Sequence, residues 1–80
     1  MTQRDKLVER LRQHPKGVTL EELDRVLRMS GFVLVRVRGS HHVYHRPGGP
    51  SVTVASHGPH VNSDAVREVL RYIDGPAEDE

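Results

Sequence analysis

The sequence predicts one small α+β domain, a three-stranded antiparallel sheet with helices packed on one face, in the order α-α-β-β-β-α. Three observations carry that prediction. Apolar residues recur at helical period in the first 30 residues and again after Asn62. Between Phe32 and Ala55 the period drops to two, as in half-buried strands. The strand connections are only a few residues long, which favours neighbours that meet antiparallel. With 80 residues the chain is too short for two separate cores. The expected domain covers 1–74, of which 1–18 form an additional N-terminal helix and turn, and 75–80 form a disordered acidic tail.

The first helix is expected over Asp5–Gln13, with Leu7, Val8 and Leu11 as a narrow apolar stripe among charges. His14-Pro15-Lys16-Gly17 stops it, since proline cannot continue a helix and glycine is free to turn. Thr19 and Glu22 have the capping-box spacing for a second helix, whose stripe is Leu20, Leu23, Val26 and Leu27. Gly31 sits where a C-terminal cap belongs. The first strand then puts Val33, Val35 and Val37 on one face and Arg36 and Arg38 on the other. Gly39-Ser40 interrupts, His41–Arg46 resumes, Pro47–Pro50 turns, and Ser51–Ala55 supplies a third strand rich in β-branched residues. After a loop over 56–61, Asn62 or Ser63 caps a last helix buried through Val66, Val69, Leu70 and Ile73. Helices covering one sheet face leave the other open to a ligand.

Composition narrows the chemistry. Hydrophobic residues make up 35% of the chain and aromatics 4%, so a large enclosed substrate cavity is not expected and chemistry belongs on an open surface. The absence of cysteine excludes a disulfide scaffold and Cys-ligated zinc. There is no apolar run of membrane-spanning length, nor a signal peptide's apolar stretch, and the cytoplasm is the expected compartment. A net charge of +1 averages two unlike regions, because three of the 11 acidic side chains stand in the last six residues. From Arg25 to Ser63 there is no carboxylate at all, but there are Arg25, Arg28, Arg36, Arg38 and Arg46. A stretch that cannot balance its own positive field attracts polyanions, nucleic acid first among them.

Five of the six histidines, His41, His42, His45, His57 and His60, fall in the same stretch. Imidazole both takes and gives a proton near neutral pH. Beside arginines on a polyanion-binding face, the matching chemistry is RNA cleavage. One imidazole deprotonates a ribose 2′-hydroxyl, which attacks the adjacent phosphate; an arginine stabilises the phosphorane; a second acid protonates the leaving 5′-oxygen. That route needs no metal, whereas a magnesium nuclease needs carboxylate ligands that this stretch lacks. Zinc held by three of these histidines is the competing reading. Against it, neighbours 41 and 42 on a strand point to opposite faces.

The stretch Ser30-Gly-Phe-Val-Leu-Val-Arg-Val-Arg-Gly-Ser-His-His-Val-Tyr-His-Arg-Pro47, with Val52-Thr-Val-Ala-Ser-His57-Gly after it, resembles the HicA toxins, a YcfA-like family of small ribonucleases from toxin–antitoxin pairs. The likeness runs from about Leu20 to Ile73 and centres on Gly39-Ser40-His41. It implies a fold like a double-stranded-RNA-binding domain, metal-independent cleavage of mRNA by the histidine of that motif, no cofactor, and a HicB antitoxin that covers the same surface. The histidine it points to is His41, with His42 adjacent. It also implies that Gly39 and Ser40 shape the turn, that Arg38 is the basic residue before it, and that His57 is a histidine of the loop after the third strand. Two features depart from the family pattern. Ala55-Ser56 stand where a proline and a basic residue usually precede that last histidine, and the N-terminal helix is absent from the shortest members.

Strand parity alone gives a different ranking. If Val43 packs in the core, His41 and His45 share its side, while His42, Tyr44 and Arg46 face outward with the basic residues. The motif favours His41 and parity allows His42, so both stand as catalytic candidates, with His57 as partner and Arg36, Arg38, Ser40 and Arg46 as RNA contacts. The alternative function is an RNA-binding module on the same fold that does not cleave.

Overall fold

The computed structural model describes residues 2–74; the acidic tail expected over 75–80 lies outside the described residues. The elements are α1 (Gln3–Gln13), α2 (Leu20–Met29), β1 (Val33–Arg38), β2 (His41–His45), β3 (Ser51–His57), β4 (His60–Val61) and α3 (Ser63–Asp74). The strands form one antiparallel meander in the order β1-β2-β3-β4. The α+β class and the helix order are as the sequence predicts.

Capping sets the helix ends. Thr2 accepts from the Asp5 amide and the Asp5 carboxylate accepts from the Thr2 amide, so α1 begins at Gln3, two residues before the expected Asp5. Thr19 and Glu22 close the expected box on α2. The Glu22 carboxyl is held below its ordinary value chiefly by the Thr19 amide, with the Arg10 guanidinium at 3.2 Å adding to that against partial burial. At the other end of α2, Gly31 takes φ +93°. The Gly31 amide donates to the Arg28 carbonyl and the Phe32 amide to the Leu27 carbonyl, a Schellman ending that only a residue at ease with positive φ completes. Asn62 begins α3, its side chain accepting from the Asp64 amide at 2.8 Å.

The core joins all three helices to one sheet face. Leu11, Leu23, Val26, Leu27, Phe32, Tyr44, Val52, Val54, Val66 and Val69 are almost wholly buried. Because α1 contributes Val8 and Leu11 and packs against both α2 and α3, the N-terminal helix is part of the same core rather than an appendage.

Two expectations are corrected. The segment 56–61 is not a plain loop, for β4 makes a fourth, two-residue strand. Gly58, at φ +66°, lets the chain reverse after β3, and Val61 then buries its side chain while its amide donates to the Val18 carbonyl at 2.9 Å. The second correction concerns parity. Val33, Val35 and Val37 do not form a buried row; they are 47%, 56% and 54% exposed. An irregularity between Leu34 and Arg36 breaks the alternation of β1, as a bulge does. On β2 it is Tyr44, 1% exposed, that enters the core, and Val43 does not. Burying a ring gains more than burying a valine, and Asp24 on α2 accepts the ring's hydroxyl proton, so the polar end is satisfied too.

Candidate active site

The register of β2 assigns each side chain to a face. His42 and Tyr44 stand opposite Val54 and Val52, whose side chains are buried under the helices. His41, Val43 and His45 stand opposite Ala55, Thr53 and Ser51 on the uncovered face. On the other side of β2, Arg36 pairs with Val43 and Arg38 pairs with His41. The irregularity between Leu34 and Arg36 shifts the parity of the strand beyond it and so leaves Arg36 and Arg38 on the same face as His41. Directly opposed residues in an antiparallel pair hold their Cβ atoms about 5 Å apart.

A two-residue hairpin loop presents His41. Gly39 takes φ +61° and Ser40 does not have positive φ, the pattern of a turn with glycine at its first central position. No atom lies within 4 Å of where a Gly39 Cβ would stand, so the glycine is required by the backbone angle and not by space. The Ser40 carbonyl accepts from the Ser56 amide at 3.1 Å, tying the loop to β3. His41 is thus the first residue of β2 and exposed, with an arginine across one side and a small alanine across the other. Among the described residues, neither Arg36 nor Arg38 is paired with a carboxylate, so their charge is uncompensated on this face.

His57 ends β3, its backbone two residues beyond Ala55, the partner of His41. Its partner across the next turn is His60. The other predicted members lie elsewhere. His42 is half-buried on the helix side, lining a cleft with Leu20, Glu21, Asp24, Leu34 and Tyr44, and its buried Nδ1 has no hydrogen-bond partner. It does not share a face with Arg36 and Arg38. Arg46 lies past the opposite end of β2, about 16 Å from His41 at strand rise, with its guanidinium 5.2 Å from the centroid of Phe32. It also fills the space beside Gly49, where a Cβ would come within 2.8 Å of its Nε. His45 shares a hydrogen bond with Ser51 at 2.9 Å. Among the described residues, no group of three His, Asp or Glu side chains is arranged to hold a metal ion.

Sequence reasoning missed the Asp24–Tyr44–Arg28 cluster, which fixes the face of β2. The Tyr44 hydroxyl donates to Asp24 at 2.5 Å and Arg28 donates to both oxygens of the same carboxylate at 2.9 and 3.1 Å. Burial, together with the bond to Asp24, raises the Tyr44 hydroxyl well above its ordinary range. The available signal was scarcity: with so few aromatics, each is wanted in the core.

A family model described as the HicA toxin of bacterial toxin–antitoxin systems matches residues 20–74, from the first residue of α2 to the last of α3. The chain belongs to the HicA toxin family. It is therefore a toxin of a toxin–antitoxin system, with a cognate antitoxin as partner. The matched part contains the whole HicA-like sheet and leaves α1 outside. No curated protein and no solved structure matches the chain.

Proposed function

We propose that this HicA-family chain is a metal-independent endoribonuclease acting on mRNA, and that His41 is its catalytic residue. The observation that supports this is the cross-strand pair of Arg38 with His41, at a tight hairpin on the uncovered sheet face. RNA lies along that face with its phosphates against Arg36 and Arg38, and Ser40 contacts the backbone at the turn. His41 takes the proton of a 2′-hydroxyl; the oxygen attacks the adjacent phosphorus; Arg38 stabilises the charge that develops on the phosphorane. The 5′-oxygen leaves with a proton, giving a 2′,3′-cyclic phosphate and a 5′-hydroxyl end. His57, close to His41 along the sheet by backbone position, is the proposed donor of that proton. Of the two candidates the sequence left open, His42 is set aside because it stands on the helix side. Arg46, at the far end of β2, is assigned no phosphate.

The test is cleavage of a long single-stranded transcript at neutral pH in EDTA, at low and moderate salt. Wild type should cut and leave cyclic phosphate ends, while His41→Ala should bind RNA equally and fail to cut. If both proteins bind in a salt-sensitive way and neither cuts, the chain is a binding module and the proposal fails.

A further inference from the structure

The first strand is the open edge of the sheet. Its neighbour on one side is β2, and among the described residues none of the backbone groups of Val33–Arg38 bonds to any other segment. A six-residue strand with a free ladder and three exposed valines is a template for another strand. Two features decide what kind of strand fits. On the open side of the sheet the edge presents Arg36 and Arg38, without acidic partners among the described residues. On the helix side, Val37 stands opposite His42, and Leu34 opens onto the cleft of about 240 Å³ lined by Leu20, Glu21, Asp24, His42 and Tyr44.

From this geometry we infer that β1 is a docking edge for an extended segment of a partner protein, in which acidic and apolar side chains alternate. A strand added there sends every second side chain to each face. Those on the open side meet Arg36 and Arg38 and are acidic; those on the helix side lie against Val37 and the mouth of the cleft and are apolar. A second copy of this chain is the wrong occupant. Antiparallel pairing of β1 with itself sets arginines of two copies on one face, and like charges opposed across strands are destabilising. The irregularity at Leu34–Arg36 adds a local twist that resists flat self-association. The inference does not depend on the nuclease chemistry proposed above. It shares Arg36 and Arg38 with that chemistry but rests on the free edge of the strand and makes no use of a histidine.

The probe is a capped seven-residue peptide of alternating valine and glutamate, titrated into the full chain and followed by amide chemical shifts and hydrogen exchange. Saturable shifts and slowed exchange should centre on 33–38. Three controls should each weaken binding at least tenfold: N-methylation of alternate peptide amides, replacement of glutamate by lysine, and Val37→Lys in the protein. Val37→Lys should keep the wild-type circular dichroism spectrum and melting temperature, which shows that the variant is folded. Binding that survives N-methylation, or that perturbs only the arginines, would mean simple charge attraction and overturn the inference. So would self-association through β1, or no binding at all.

Discussion

The two faces of β2 carry adjacent histidines into opposite surroundings. His41 stands on the uncovered face beside Arg38, at the end of a hairpin that holds it in solvent. His42 follows it in the chain and stands half-buried on the helix side, facing the cleft with Tyr44. One peptide bond separates them, and strand geometry does the rest. What fixes the assignment is not at either histidine but at Tyr44, whose ring the core takes and whose hydroxyl Asp24 accepts. The lesson is that which side chains the exposed face presents is set by the packing of the hidden one.

The largest expected effect comes from removing the exposed imidazole. His41→Ala should slow cleavage by about 100- to 10,000-fold, the usual share of a positioned acid or base, with an unchanged circular dichroism spectrum and melting temperature. A next step attacks the hidden face. Tyr44→Phe leaves Asp24 without its hydroxyl donor and should cost about 1–3 kcal/mol of stability, measured by urea unfolding. The same bond gives a pH signature. Folding keeps the Tyr44 proton on, so its contribution is complete below pH 10 and is lost as pH rises beyond that ordinary value. Alkaline unfolding should therefore begin earlier in wild type than in Tyr44→Phe, relative to each protein's neutral stability.

Smaller effects sharpen the comparison at the turn and along the face. Gly39→Ala forces a side chain onto φ +61° and should cost about 1–2 kcal/mol. Its cleavage loss should exceed that of a distant substitution of equal cost, because His41 stands two residues on, at the end of the same turn. Arg38→Gln should weaken RNA binding at all sequences and lower the slope of log affinity against log salt by about 0.7, the value for one contact to a single strand. Arg46→Gln, by contrast, should leave that slope unchanged, since its guanidinium lies over Phe32.

Most of the fold was legible because it rests on local chemistry. The Thr19–Glu22 box, the Gly31 ending and the stripes of α2 and α3 are spacings that any reader of the chain can see. The Gly39-Ser40 turn is legible in the same way, as a break between two runs of strand period. What was not legible was the direction of the strands. A bulge at Leu34–Arg36 leaves no mark in a run of alternating residues, so simple alternation sets Val33 and Val37 on one face and Arg36 and Arg38 on the other, whereas Val33 shares the open face with the arginines and Val37 does not. The Asp24–Tyr44 bond joins residues 20 apart, and no spacing rule reaches that far. The short β4 depends on Val61 meeting Val18, again a tertiary contact.

The central claim is that the two neighbouring histidines do different work, and single-turnover cleavage by His41→Ala and His42→Ala in EDTA, with melting curves for both, tests it most directly. Loss of cleavage in His41→Ala at unchanged melting temperature, with His42→Ala cutting within about threefold of wild type wherever it is folded, is the predicted result; threefold is well short of what removal of a positioned acid or base costs. The opposite pattern, in which His41→Ala cuts normally and folded His42→Ala does not, would contradict the account.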